Sequence, residues 1–440
     1  MRSRSSNKYL GTIQLVALIF LTVSGGPYGL EPLLVYGGEH AALLLLILTP
    51  LLWDIPTVAA VLELNSMMPV QGGYYHWVKR ALGLKWAFYE GWWTWIYTFV
   101  DLAIYPVLFI TYLGFFFPDI VIYKVPICLC IIWFSAIINI LGVVPVGKSS
   151  VVLSGVVLLP FIILVVIAFN QHHSFSFPAL SFKGTTYSSI GMGLYTVMWN
   201  FIGWDNTTTY AEKVDRPVRT YLVSTICAFM IIFIVYFLVV YISQLSGINP
   251  SRLAVEGYPA LGVLLGGNWL GAGIAIGGMA SSLGLFSAVL LSVSRVPKVM
   301  ADDHLLPRKL NSIHLKFGTP YISIIACATI VSFMILWTFT DLIIIDVTLY
   351  GAALVLEYVS LIALRIKVPA EHRPFKIPLN ITGLIIFMLI PIGVYAFALS
   401  AAIIAMEQSF KPIIFAIACL VSAEIIWRII LWKKNKSVSL

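Results

Sequence analysis

The chain reads as a succession of long apolar runs separated by short polar connections. A helix crossing the hydrocarbon of a bilayer needs about 20 mostly apolar residues. Runs of that kind fall at roughly 12–36, 41–67, 86–116, 123–142, 147–169, 187–211, 219–245, 268–298, 319–338, 341–364, 381–403 and 412–432. They predict an all-α membrane protein with twelve transmembrane helices. No soluble domain fits between them, so residues 1–440 read as a single transmembrane unit. An even number of crossings returns both termini to one side.

Composition agrees. Hydrophobic residues make up 60% of the chain and charged residues 10%, whereas soluble domains carry about a quarter charged residues. Too few polar groups remain to coat a globule. The net charge of +8 follows the positive-inside pattern. With the N-terminus in the cytoplasm, only Lys124, Lys183, Arg252 and Lys411 of the 27 Lys and Arg fall outside. The charge is thus a topological signal and implies no nucleic-acid partner. The first run follows Arg2, Arg4 and Lys8 but continues through Gly-Gly-Pro without a small-x-small cleavage site, so no cleaved leader is expected.

Several motifs look chemical and are read otherwise. Gly142-Val-Val-Pro-Val-Gly147-Lys148-Ser149 spells a phosphate loop, but no strand precedes it, and no nucleotide is expected. Gly271, Gly273 and Gly277 suit close helix packing better than a dinucleotide site. Asn206-Thr-Thr is a sequon inside a span. Cys128, Cys130, Cys227, Cys327 and Cys419 lie in apolar runs without ligand spacing and read as buried inert thiols; no metal site is expected. The seven histidines lie in loops or at span ends, which removes a mid-membrane histidine relay. No nucleophile–base pair stands out, so no catalytic residue and no enzyme are expected.

Two spans are broken. Ser24-Gly25-Gly26-Pro27-Tyr28-Gly29 places three glycines and a proline in six residues, more than a simple proline kink needs. Span six carries Asn200-Phe-Ile202-Gly203-Trp204-Asp205-Asn206. The breaks are separated by the same interval as the starts of spans two and seven. Spans one to five (about 12–169) and six to ten (about 187–364) thus read as two copies. An odd number of spans per copy gives a five-plus-five inverted repeat with helices 1 and 6 broken. Two further helices follow, at about 381–432. In such repeats the binding site lies where the broken helices meet.

Six acidic residues sit within the spans: Glu31, Asp54, Asp101, Asp205, Asp346 and Glu357. No Lys or Arg lies mid-span to pair with them. Such carboxylates stay protonated, bind an inorganic cation, or hold a cationic substrate. Glu31 sits where a cap of the second half-helix is expected and is a coupling-ion candidate. Asp205, beside the second break, is a candidate for both substrate and coupling ion, or a cap of broken backbone. Asp101 would be a second anionic partner. Asp54, Asp346 and Glu357 are expected to be structural, and Glu63, Glu90, Glu212 and Glu424 to be solvated or gating residues near the cytoplasmic face. Trp199, Trp204 and Phe286 lie where an aromatic face could hold an ammonium, although a lipid-facing Trp204 is as reasonable. Ser281 and Ser282 could supply oxygens to sodium.

Together these residues resemble the amino acid–polyamine–organocation transporter superfamily over about residues 10–400. Ser24-Gly25-Gly26 is similar to its glycine-rich break, and Trp199-Asn-Phe-Ile-Gly203-Trp-Asp205 to the gate of its basic amino-acid exchangers. Ser24 through Glu31, Tyr105-Pro-Val-Leu-Phe109, Gly318-Thr-Pro320 and His372-Arg-Pro resemble the polyamine-uptake branch. Where that branch carries acids on helix eight, this chain has Ser287, Val289 and Val293, which weakens the case for a multiply charged substrate. The resemblance implies a secondary active permease in the plasma or inner membrane, both termini cytoplasmic. Its substrate would be a polyamine or amino acid. Ser24, Gly25, Gly26, Tyr28, Asp101, Trp199, Ile202, Gly203, Trp204, Asp205 and Phe286 would bind it. No cofactor is implied beyond a coupling proton, with sodium as the alternative. A basic or neutral amino-acid permease or exchanger, and a transporter-like nutrient sensor, are the competing readings.

Overall fold

The computed structural model describes residues 10–70, 72–142, 148–171, 177–206, 208, 214, 217–294, 296–405 and 410–438. The segment 143–147 of the phosphate-loop spelling and Thr207 of the sequon lie outside them, as do Lys213 and Arg216 and the N-terminal cations. The described chain is helical, and its one β-type pairing is an isolated bridge between Leu10 and Val214.

Helix α1 (Thr12–Val23) ends at the first break, and α2 (Leu33–Thr49) resumes after it. Gly38, at φ 58°, splits α2 into a short half-helix completing the first span and the start of the second. A π-helical turn at Pro50–Asp54 joins α2 to α3 (Ile55–Met67). Pro50 and Pro56 each remove an amide donor there, and the widened turn absorbs the loss. Next come α4 (Gly73–Leu82), α5 (Leu84–Leu113), α6 (Lys124–Ile140) and α7 (Lys148–Gln171). Helix α8 (Tyr187–Trp199) stops at the second break, and α9 is Pro217–Leu245. Two short helices, α10 (Pro250–Glu256) and α11 (Tyr258–Gly266), precede α12 (Asn268–Val293) and α13 (Val296–Asp302). The rest are α14 (Tyr321–Met334), α15 (Phe339–Lys367), α16 (Ile381–Ala405) and α17 (Lys411–Val438).

Among the described residues, nine helical segments are long and apolar enough to cross a membrane, with α1 and α14 as shorter apolar helices. Burial sorts them. The apolar windows of α15 and α5 are 83% and 72% buried, whereas those of α16 and α17 are 28% and 22%. Helices α5 and α15 therefore form the centre, and α6, α7, α16 and α17 turn apolar side chains such as Phe134, Leu159, Ile386 and Ile425 outward. An outward apolar surface of this extent suits lipid. Cys130 and Cys227 are exposed on such outer faces rather than buried, whereas Cys128 and Cys327 are buried. Gly271 packs against the Pro259 carbonyl and Gly277 against the Tyr28 hydroxyl, as small-residue packing requires.

Cations gather at one end of the bundle. Lys79 pairs with Asp303 at 2.7 Å, Arg80 with Glu371 at 2.6 Å and Lys85 with Glu424 at 2.9 Å. Burial opposes ionisation of Asp303, but hydrogen bonds from Lys79 and Tyr75 prevail and hold its carboxyl below the usual range. Glu63 is buried, not solvated as expected. It pairs with Arg365 at 2.5 Å and Arg373 at 3.5 Å. Glu90 is also fully buried. Its place on α5, the innermost helix of the early bundle, outweighs its nearness to the chain's charged end.

The first break depends on Gly25. Phe20 O accepts from both Ser24 N (3.0 Å) and Gly25 N (2.8 Å), closing α1. Gly25 then takes φ +59°, and a Cβ there would lie 2.5 Å from both Leu285 Cδ1 and Ser281 Oγ. Gly25→Ala is therefore expected to lower stability by at least about 1–2 kcal/mol, the cost of left-handed backbone in an L-residue, with the clash added. Thermal unfolding of the purified protein in detergent checks this; an unchanged midpoint counts against it.

Candidate functional site

The two breaks meet at the centre. A Cβ on Gly203 would lie 3.0 Å from Thr22 O. The Tyr236 hydroxyl of α9 spans both breaks, 2.7 Å from Ser24 Oγ and 3.1 Å from Asn200 O. Ser281 of α12 donates to the Gly25 carbonyl. Unwound backbone at membrane depth is tolerated where it is buried in protein or lines a cavity, and here both conditions hold.

Between the breaks lies a nearly closed chamber with about 10 Å³ of free volume. Thr22, Val23, Ser24, Asp101, Tyr105, Trp199, Asn200, Ile202, Asn206 and Leu285 line it. Asp101 is the one charged residue among them, and its carboxylate accepts from Tyr105 Oη at 2.7 Å. The Trp199 indole interacts with the same carboxylate, lies over the backbone at Gly29, and meets Phe339 edge-on at 5.7 Å. Trp199 thus covers the chamber from the side of the second half-helix of span one.

The other sequence candidates are divided. Ser24, Asp101, Trp199 and Ile202 line the chamber; Gly25, Gly26 and Gly203 do not, and instead supply the positive-φ turns of the two breaks. Phe286 is buried but does not line it; Leu285, one residue earlier, does. Tyr28 braces α12 instead, donating to Ile274 O at 2.9 Å and packing on Tyr112 and Phe161. Glu31 accepts from Gly29 N (2.6 Å) and Tyr112 Oη (2.9 Å), apart from the chamber. Trp204 points to Asp54, with Nε1 3.4 Å from Oδ1, and to Phe229. Asp205 turns to α15, where Tyr350 Oη donates to it at 3.1 Å. Gly203 N is 3.4 Å from the same hydroxyl. Ser282 is back-bonded to Gly278 O at 2.9 Å.

Sequence reasoning missed Thr22, Asn200, Asn206, Tyr236 and Leu285, and took Tyr105 only as part of a motif. Tyr105 had a signal: it lies four residues after Asp101, one turn along the same face. The others are ordinary residues in their segments, and their roles follow from how the breaks fold back on each other.

A bundle of apolar helices around two touching breaks, closed on one buried carboxylate and a tryptophan, has the architecture of a multi-pass membrane protein. The family model for amino acid permeases matches residues 10–423. The chain belongs to that family and to the amino acid–polyamine–organocation superfamily. It is similar to a probable polyamine transporter of Arabidopsis thaliana, 35% identical over 87% of this chain and 80% of that protein. It is also similar to the polyamine transporter RMV1 of the same plant, 30% identical over 89% and 80%. The serine/threonine exchanger SteT of Bacillus subtilis (strain 168) is 23% identical over 84% and 86%.

Proposed function

We propose that this protein is a proton-coupled permease for a cationic amine, with polyamines as the favoured substrates. The carrying observation is the chamber itself: among the described residues that line it, Asp101 is the one charged group and none is Lys or Arg. A substrate ammonium would bind Asp101 and the carbonyls freed by the two breaks, with Trp199 closing over it. The helix-eight acids of the polyamine branch are absent here, but Asp346 of α15 lies within electrostatic reach of Asp101 and offers a second anionic position. Relatives named as polyamine transporters support the same class.

Twelve spans, a five-plus-five inverted repeat and cytoplasmic termini complete the reading. Spans 1, 2, 6 and 7 rock against 3, 4, 8 and 9 about the central site. The cationic end with Lys79, Arg80, Arg365 and Arg373 then faces the cytoplasm. Protons are favoured over sodium because the buried carboxyls of α5 and α15, several with oxygens unpartnered among the described residues, can each take up and release a proton.

Competition in reconstituted vesicles tests the substrate. Uptake of labelled putrescine should be driven by an inward proton gradient without sodium, collapse with a protonophore, and yield to spermidine more than to arginine or leucine. Uptake of arginine or leucine in preference to putrescine, or a requirement for sodium, overturns the respective half of the proposal.

A further inference from the structure

The centre of the bundle carries polar groups that the substrate chamber does not use. On α5, Glu90, Thr94, Tyr97, Asp101 and Tyr105 fall at i, i+4, i+7, i+11 and i+15, which places them on one helical face. On α15, Asp346, Tyr350 and Glu357 fall at i, i+4 and i+11, again one face. The two faces meet. Tyr97 and Tyr350 pack edge-on with ring centroids 5.1 Å apart. Four residues onward on α5 and four back on α15, Asp101 and Asp346 are electrostatic neighbours. Seven residues the other way, so are Glu90 and Glu357. This is an antiparallel register, held over eleven residues or about 16 Å of helix.

Asp205 joins the middle of this seam rather than the chamber. It accepts from Tyr350 Oη at 3.1 Å and lies within electrostatic reach of Glu90 and Glu357.

A second, independent feature points to a mobile ligand. Several of these groups have buried atoms without a hydrogen-bond partner among the described residues: Glu90 Oε2, Glu357 Oε2, both oxygens of Asp346, and the hydroxyls of Tyr74 and Tyr97. Buried polar atoms are ordinarily satisfied. A single orphan would be a packing defect, but five along one seam between two packed helices, with Tyr74 of α4 beside them, are a track.

Among the described residues, no Lys, Arg or His faces the seam. Glu90 is faced by Thr94 (Oγ1 3.3 Å from Oε1), Tyr74 of α4, Asp205 of the break and Glu357. Glu357 is faced by Tyr74, Tyr350, Asp205 and Glu90, and by Tyr358, whose hydroxyl lies 2.5 Å from Thr57 Oγ1 of α3. Asp54 of the π-turn is the further acid near Tyr358. From α17, Glu424 is held at the rim by Lys85 and Arg428. The nearby cations Arg365 and Arg373 are bound to Glu63, and Lys367 to Ala81 O.

We propose that the facing stripes of α5 and α15 form a proton-transfer ladder, from Asp346 beside the chamber residue Asp101, through Tyr97, Tyr350 and Asp205, to Glu90 and Glu357 at the cationic end. The proposal rests on the reading of the protein as proton-coupled. A proton entering with substrate sits on Asp346, which leaves Asp101 ionised to hold the substrate ammonium. Each transfer breaks one O–H bond and makes another, directly where Tyr350 Oη meets Asp205 and through an intervening water at the unpartnered atoms: each donor oxygen gives up its proton as the next oxygen accepts it, and a tyrosine hydroxyl or water releases its own proton onward as it receives one. Nothing is oxidised or reduced, and each rung regains its starting state. Glu90 and Glu357 deliver the proton to the aqueous side. Two separate pathways, one for substrate and one for the proton, would then diverge below Asp101.

The test uses the full chain reconstituted in vesicles containing a pH-sensitive dye, with labelled putrescine as substrate. Glu357→Gln and Glu90→Gln are expected to lower gradient-driven uptake and substrate-induced proton entry by roughly tenfold or more, the order of effect for loss of a proton-transferring group. Substrate counterflow, which needs no net proton movement, should stay close to wild type. Tyr97→Phe, which removes one oxygen and keeps the ring, should show the same split in milder form and covers the case where a glutamine variant fails to fold. Variants that keep proton entry while the wild type shows it overturn the ladder alone. Variants, Tyr97→Phe included, that lose counterflow as much as driven uptake give these residues a structural role and also overturn it. A wild type that transports putrescine without proton entry removes proton coupling, and the ladder with it.

Discussion

Asp101→Asn is expected to cost cationic substrates far more than neutral ones. The carboxylate is buried, lines the chamber and is oriented by Tyr105 at 2.7 Å. A substrate ammonium docked there forms a buried, charge-assisted hydrogen bond. Removing one partner of such a pair costs about 2–5 kcal/mol, or roughly 30-fold to several-thousand-fold in affinity. Asparagine has nearly the same volume and can still accept from Tyr105, so the fold should survive. The measurement is the apparent KM for labelled putrescine and for labelled leucine in the same vesicles. A large rise for putrescine with little change for leucine is the expected result. An equal rise for both would make Asp101 a structural residue and would move the cation site elsewhere.

Glu63→Gln is expected to be the most destabilising single change near the cationic end. Glu63 accepts from Arg365 Nε and Nη2 at 2.5 and 2.6 Å and from the Ile377 amide at 2.8 Å. Arg373 stands 3.5 Å away. The side chains of Glu63, Arg365 and Arg373 are only 1%, 8% and 3% exposed, so solvent cannot replace a missing partner. Breaking a buried pair on one side costs about 3–5 kcal/mol, mainly because the remaining charge is stranded. Here two guanidinium groups are stranded, although Arg365 and Arg373 keep backbone carbonyls as acceptors. Thermal unfolding in detergent should show a clearly lowered midpoint for Glu63→Gln. The double variant with Arg365→Gln should recover part of the loss, which isolates the pair from other effects. Strictly additive losses would show that the pair contributes little.

The sequence made some residues legible and hid others for identifiable reasons. Gly25, Gly26 and Gly203 were readable because their requirement is local: a chain with these residues at these places does not stay helical. Asp101 was readable because a carboxylate inside an apolar run is costly anywhere. Phe286 and Leu285 were not separable, because adjacent residues on a helix point about 100° apart and α12 is apolar on most of its circumference. Asp205 was placed in the chamber by its position beside a break, whereas the chain after Gly203 turns its side chain towards Tyr350. Glu90 was read as a solvated or gating residue near the cytoplasmic face, yet it is buried, because α5 enters the bundle centre within two turns of its start.

The sequence by itself determined that this chain lies in a membrane, that two of its spans are broken, and that its intramembrane charge is acidic and lacks cations to balance it. These are properties of composition and of short segments, and no folding partner can alter them. The tertiary structure decided which acid faces which neighbour: Asp101 to the chamber, Glu31 to Tyr112, Asp205 to Tyr350, and Glu90 opposite Glu357. The reason is rotational. A helix apolar nearly all round carries no amphipathic stripe to say which face is inward, so the facing of its few polar residues is settled only when α5 and α15 pack together in one register.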